Sequence, residues 1–152
     1  MKTKLFLISV ILGICLQLSG QTTDHDYAII GDVSNDQNLK QVKMRYSHQG
    51  NAYFILEMED RAIEMITNAL IERGPVEELH IFIRTDKDGL IFNDDNIITS
   101  ANVDQYTEFL KKWKEFVSVR VVIFTKDVFS TPEGRKLKDK LETITGLEFI
   151  SR

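Results

Sequence analysis

Short apolar runs alternate along this chain with longer stretches in which apolar residues recur every three or four positions. A short run rich in β-branched and aromatic residues is typical of a buried strand, whereas recurrence at three and four positions indicates an amphipathic helix. The apolar runs therefore predict five strands, at Tyr27–Gly31, Ala52–Leu56, Leu79–Arg84, Val119–Phe124 and Leu147–Ile150.

Four stretches between these runs have helical periodicity. The clearest covers Glu59–Arg73, where the apolar residues form one stripe and where Gly74 and Pro75 end the helix. The last begins at Thr131, whose hydroxyl can cap a helix, and ends at Gly146. The predicted helices are 35–46, 59–73, 102–116 and 131–145.

Strands and helices that alternate in this way define the fold class. A repeated strand–helix–strand order implies a mostly parallel sheet with helices on both faces. We therefore predict an α/β fold, a three-layer α/β/α sandwich with a mostly parallel sheet of about five strands. Two further apolar segments, Leu90–Phe92 and Ile97–Ile98, predict a small extra hairpin.

The first 20 residues form a distinct segment. Two lysines precede an apolar run, Leu5–Leu16, which is too short to span a bilayer and is followed by small and polar residues. This order predicts a signal peptide at 1–20, cleaved after Gly20, and a single domain over 21–152. The alternatives are an uncleaved anchor and a lipoprotein anchored through Cys15, the one cysteine of the chain. We therefore expect a secreted or periplasmic protein.

The charge of the chain excludes one class of partner. The chain has 19 basic and 23 acidic residues and a net charge of −4. Because nucleic-acid binding needs a basic surface, we predict no nucleic-acid partner. After the signal segment no apolar run is long enough for a membrane span. Cleavage after Gly20 would also remove Cys15, and with it any disulfide or thiolate nucleophile.

Polar side chains follow the predicted strands at their carboxyl ends. Ligands of open parallel sheets bind outside these ends, so residues there are candidates for a binding surface. The alternative is that they are solvated loop residues and helix caps. The candidate ligand surface, called the strand-end rim below, consists of Asp32, Thr85, Asp86, Thr125, Lys126 and Asp127.

One loop concentrates oxygen ligands of the kind that calcium prefers. Its acidic residues stand beside asparagines and a glycine, although their spacing does not match the helix–loop–helix calcium motif. Calcium binding therefore stays open as an alternative. Its candidate ligands are Asp86, Asp88, Asp94 and Asp95.

Other cofactor chemistry has less support in the sequence. The three histidines do not have the spacing of a zinc hydrolase, and His80, inside a predicted strand, is expected to be a satisfied, partly buried residue. Neither a glycine-rich phosphate loop nor a GxSxG nucleophile motif is present. We therefore predict no cofactor.

The order of the segments resembles that of a known family. The matching segments are the first and third strands, the sequence DGLIF, the helix with Tyr106–Trp113, the strand VVIFTKD and, most similar of all, Gly134–Gly146. On these segments the chain resembles, from Tyr27 to Ile150, the domain of unknown function 4347 family of secreted and surface bacterial proteins. The resemblance implies a fold like that of the caspase, gingipain and separase peptidases. A flavodoxin-like arrangement is the alternative.

The chain departs from that family where catalysis would be expected. Family members with a catalytic dyad have histidine-glycine after the third strand and glycine-cysteine after the fourth. Here the matching positions are Arg84-Thr85, or Thr85-Asp86, and Thr125-Lys126. Thiolate attack needs a cysteine beside a base, and neither is left. The resemblance therefore implies no catalytic residue in this chain.

Three hypotheses follow for the function. The first is a non-catalytic exported domain, a pseudoenzyme that binds another secreted or surface protein through the strand-end rim. The second is a hydrolase with a new site, in which Lys126 acts with Asp127 and Asp86 as an acid/base pair. The third is a calcium-stabilised surface domain.

Overall fold

The computed structural model describes residues 24–31, 36–48, 53–57, 61–86, 89–125 and 127–152. The predicted signal segment and three candidate site residues, Asp32, Asp88 and Lys126, lie outside the described residues. The strands are β1 (Asp24–Ile30), β2 (Tyr53–Ile55), β3 (Val76–Phe82), β4 (Arg84–Thr85), β5 (Gly89–Asn93), β6 (Asn96–Thr99), β7 (Val117–Phe124) and β8 (Glu148–Ser151). The helices are α1 (Asp36–His48), α2 (Ala62–Arg73), α3 (Thr107–Leu110), α4 (Trp113–Phe116) and α5 (Pro132–Thr145).

Five of the strands form one sheet in the order β2-β1-β3-β7-β8, and all neighbours in it are parallel. Numbered along the chain, these five strands have the order 2-1-3-4-5, which is one of the two common doubly wound arrangements. The order reverses between β1 and β3, and this position is where such sheets open a crevice for ligands. The predicted parallel α/β sandwich is therefore confirmed.

Helices cover both faces of this sheet because successive strand residues point to opposite sides. On one face Ile29, Leu79 and Ile81 pack with residues of α2, α4 and α5. On the other face Ala28, Ile30 and Phe82 pack with Tyr46 of α1. The stripe predicted for α2 is fully buried, and its members are Ala62, Ile63, Ile66, Ala69 and Leu70.

The predicted small hairpin is present and has a third strand. β5 pairs antiparallel with β6 and with β4, which follows directly after β3. Leu90, Phe92 and Ile98 anchor this small sheet because their side chains are buried in the main core. The small sheet therefore lies beside the carboxyl end of β3, next to the strand-end rim.

The prediction of one continuous helix over 102–116 is wrong. The structure divides it into a 3₁₀ turn, Val103–Tyr106, followed by α3 and α4, and Val117 begins β7. At the α3–α4 junction the N–H of Lys112 donates to the carbonyl of Phe109, an i→i+3 bond. Such a tight turn aligns residues three apart, so Leu110 and Trp113 both point into the core.

The predicted ends of the last helix are confirmed. The N–H of Gly134 donates to the Thr131 hydroxyl over 2.9 Å, and Gly146 ends α5 in the left-handed conformation with φ of 68°. α5 is the longest described helix, with 14 residues. Within the parts of the chain that the structure describes, no helix is both long and apolar enough to cross a membrane.

Candidate functional site

Two members of the strand-end rim meet at the carboxyl ends of β3 and β7. The register pairs Phe82 with Phe124, so the residues that follow these strands are brought side by side. The hydroxyl oxygens of Thr85 and Thr125 lie 2.6 Å apart and form a half-buried hydrogen bond. The backbone N–H of Thr125 donates to the carbonyl of Arg152 over 3.0 Å, which ties the rim to the end of β8. These two residues of the rim are therefore in contact, while the rim as a ligand surface stays a prediction.

The two acidic members of the rim that are described have local roles as well. Asp86 Oδ1 accepts the N–H of Gly89 over 2.8 Å and so joins the end of β4 to the start of β5. Asp127 has a positive φ of 28°, and its carbonyl accepts the Ser130 N–H over 2.8 Å. Both aspartates are exposed. The role of these two aspartates in ligand binding stays a prediction.

Arg84 occupies one of the positions that the resemblance assigned to a catalytic histidine. Its guanidinium Nη2 lies 3.1 Å from Asp94 Oδ1 at the tip of the β5–β6 hairpin. The side chains of Arg84 and Asp94 are 39% and 75% exposed, so solvent screens this ion pair and it contributes little to stability. The Arg84 side chain therefore points along the small sheet toward the tip of the β5–β6 hairpin.

The described calcium candidates lie at different ends of one strand. Asp86 precedes β5, whereas Asp94 and Asp95 follow it at the hairpin tip. A five-residue strand spans about 14 Å, which is much longer than a calcium coordination sphere. Among the described residues these three carboxylates therefore do not meet at one point. Calcium binding that involves Asp88 stays a prediction.

A second group of polar residues lies on the α1 face of the sheet, and the sequence analysis did not find it. The register pairs Asp26 of β1 with Glu78 of β3, and Glu78 in turn with Arg120 of β7. His80, two residues further along β3, points to the same face. Tyr46 of α1 packs above it. We call these five residues the sheet-face cluster.

Hydrogen bonds join the members of the sheet-face cluster. The ring of His80, which is only 4% exposed, contacts the Tyr46 hydroxyl through Nδ1 and lies 2.8 Å from Glu78 Oε2 through Nε2. Arg120 Nε donates to the other carboxylate oxygen, Glu78 Oε1, over 2.6 Å. Asp26 Oδ1 lies 3.8 Å from His80 Nε2. Glu78 therefore bridges a histidine and an arginine.

A single neutral form of His80 satisfies both of its contacts. With the proton on Nε2, this nitrogen donates to Glu78 and Nδ1 accepts from the Tyr46 hydroxyl. The ring is also fixed from the apolar side, because it packs edge-on against Phe124 with centroids 5.2 Å apart. The prediction that His80 is a satisfied strand residue is confirmed in this respect, and its burial is nearly complete.

The cluster changes the acidity of two of its members. Burial on its own would raise the pKa of Glu78, but the hydrogen bonds from His80 and Arg120 together outweigh it and hold that pKa below its usual value. Burial raises the pKa of Tyr46 far above its ordinary value, and the carboxylates of Asp26 and Glu78 add to this effect. At neutral pH Glu78 is therefore an anion and Tyr46 a neutral hydrogen-bonding group.

Acid should weaken the fold through Glu78. Because folding lowers its pKa, its carboxylate stabilises the fold above the pKa of the unfolded chain, about 4.3, and this contribution is lost as the pH falls through the lower folded value. We expect the free energy of unfolding to drop more steeply between about pH 5 and about pH 3 in the wild type than in Glu78→Gln. Urea denaturation at each pH measures this difference. The control is Glu108→Gln, at an exposed glutamate, and equal slopes for all three proteins would contradict the prediction.

The fold and the rim define a class of protein, a doubly wound α/β domain with a threonine pair at its strand ends. The chain belongs to the family described as a domain of unknown function, DUF4347, whose model matches residues 29–151. This match runs from the last two residues of β1 to the end of β8 and so includes the other four strands of the main sheet in full. No curated protein and no solved structure matches this chain. The family resemblance in the sequence is therefore confirmed.

Proposed function

We propose that this chain is a non-catalytic, exported binding domain whose partner, another secreted or surface protein, docks on the strand-end rim. The observation that carries the proposal is the hydrogen bond between the Thr85 and Thr125 hydroxyls at the carboxyl ends of adjacent strands. Ligands of doubly wound sheets bind at these ends. The proposal includes the signal peptide and a caspase-like fold, as the sequence led us to expect.

The chemistry of the rim supports binding over acyl transfer. A hydroxyl nucleophile needs an adjacent base, yet each of the two threonine hydroxyls has the other as its hydrogen-bond partner. The buried histidine of β3, His80, is five residues before Thr85, and its ring contacts Tyr46 and Glu78 on the α1 face of the sheet. Within the described residues the rim therefore offers hydroxyl and carboxylate contacts without a histidine base.

A charge reversal at the rim tests this proposal. The wild type, Asp127→Lys and the control Asp139→Lys are each immobilised. Secreted proteins of the organism that produces this chain are then passed over all three. Asp139 is also an exposed aspartate, and it lies two turns along α5 from the helix start. We expect a partner that the wild type and Asp139→Lys retain equally and that Asp127→Lys retains at least tenfold less.

Two results would contradict the proposal. Equal retention by Asp127→Lys would show that the partner docks elsewhere than on the rim. Hydrolysis of peptide or ester substrates by the pure protein, abolished in Thr125→Val, would show that the rim is catalytic.

A further inference from the structure

The sheet-face cluster contains three side chains that together can hold a metal ion. One carboxylate oxygen of Asp26, one of Glu78 and a ring nitrogen of His80 all lie within 4.8 Å of one another. We propose that these three residues bind a divalent transition-metal ion of the zinc type. The site lies on the sheet face and not at the strand ends, so the proposal does not depend on the proposed function.

The donor set selects the class of metal. Imidazole nitrogen suits zinc and other late first-row metals, whereas calcium and magnesium take oxygen ligands. The two carboxylates bring two negative charges, and Arg120 cancels one of them. The Asp26 carboxylate and the Glu78 oxygen beside His80 are the two oxygen ligands that this arrangement offers a divalent cation. Three protein ligands with a remaining open position are also typical of zinc sites that keep a water ligand.

The distances need adjustment before a metal ion can be bound. Tetrahedral zinc with bonds of about 2.1 Å places its ligand atoms about 3.4 Å apart. His80 Nε2 is now 2.8 Å from Glu78 Oε2 and 3.8 Å from Asp26 Oδ1, so each of these separations must change by about half an ångström. The two carboxylate oxygens lie within 4.8 Å of each other and must approach by up to about 1.4 Å. The Asp26 side chain is 29% exposed and the Glu78 side chain 17% exposed. These side chains have room to move, and an ion can reach them from solvent.

Neighbouring groups already orient two of the ligands. Metal-binding histidines usually donate their other ring N–H to a fixed partner, and Tyr46 is in position to accept from His80 Nδ1. Binding would change the His80 tautomer, so that Nε2 offers its lone pair to the metal and Nδ1–H donates to the Tyr46 oxygen. Arg120 bonds to Glu78 Oε1 and leaves Oε2, the oxygen beside His80, for the metal.

Calorimetric titration of the purified protein, without an affinity tag, with zinc chloride tests the proposal. We expect one zinc ion per chain and a higher melting temperature in its presence, because a ligand of the folded state stabilises it. Asp26→Asn should weaken zinc binding at least tenfold, and Tyr46→Phe, which removes only the second partner of His80, by about tenfold. His80→Gln should abolish binding. If that variant fails to fold, Asp26→Asn at the more exposed ligand still decides the outcome.

The other two histidines of the chain provide matched controls. His25→Gln and His48→Gln should bind zinc as the wild type does. Absence of stoichiometric zinc binding would overturn the proposal, as would undiminished binding by a correctly folded Asp26→Asn variant. Binding lost in either control variant but kept in His80→Gln would assign the ion to an adventitious site and also overturn it. Calcium binding that Asp26→Asn abolishes would contradict the selection of metal by the histidine nitrogen.

Discussion

Replacing Gly134 with alanine is expected to destabilise the fold by about 3 kcal/mol, although alanine is the better helix former by about 1 kcal/mol. A Cβ atom at this position would lie 1.7 Å from the carbonyl oxygen of Val128, in the 3₁₀ turn that precedes α5. Neither atom belongs to a flexible side-chain end, so the helix start and the turn must separate. The free energy of unfolding in urea measures the loss.

The glycine that follows the same helix, Gly146, provides the control. A Cβ atom at Gly146 would have no atom within 4 Å. Gly146→Ala should therefore lower stability only through the left-handed backbone conformation, by about 1 kcal/mol. We therefore expect Gly134→Ala to be clearly the less stable of the two variants. A Gly134→Ala protein as stable as the wild type would show that α5 and the preceding turn are not in the contact described here.

Local sequence signals predicted both ends of α5. The start of this helix was predicted from a capping threonine and its end from a glycine, and the structure has both where expected. The helix over 102–116 lacked comparable internal signals. Its apolar residues fit either a continuous helix or a tight turn, and only packing of Leu110 and Trp113 into one core decides between them.

The candidate sites differ in how far the sequence could predict them. The strand-end rim follows from strand order and direction, because the carboxyl ends of parallel strands share one edge. The sheet-face cluster depends on register instead. Glu78 and Arg120 are 42 residues apart in the chain, and only the pairing of β3 with β7 brings them together. No spacing motif encodes such a pairing, so a search for histidines at regular spacing could not find a cluster built around His80.

The Thr85–Thr125 contact lies between these two cases. Parallel strand ends predict that the two residues are neighbours, but the hydrogen bond of 2.6 Å needs both side chains to point toward each other. β4 turns away from β3 into the small sheet directly at Arg84, and this change of direction sets the position of Thr85. Function has to be argued from a particular site, because one fold serves many functions. The proposed function therefore rests on the Thr85–Thr125 hydrogen bond and not on membership of the family.

We also expect Trp113→Ala to lower the free energy of unfolding by about 4 kcal/mol. Trp113 is the one tryptophan of the chain, is 1% exposed and packs in the core between α4 and the sheet. Its Nε1 donates to the Thr67 hydroxyl over 2.9 Å, and that hydroxyl donates to the carbonyl of Ile63 over 2.7 Å. The indole therefore joins α4 to α2 by a buried hydrogen bond as well as by apolar contact.

A double-mutant cycle separates these two contributions. Trp113→Phe keeps an aromatic ring without the donor, and Thr67→Val removes the acceptor at nearly constant volume. We expect a coupling of about 1 kcal/mol between the two changes, measured by urea denaturation with circular dichroism as the probe. Lys114→Ala, at the exposed neighbour on α4, should change stability by less than about 0.5 kcal/mol. Additive effects of Trp113→Phe and Thr67→Val would contradict a buried Trp113–Thr67 hydrogen bond, while the loss in Trp113→Ala would then measure apolar packing alone.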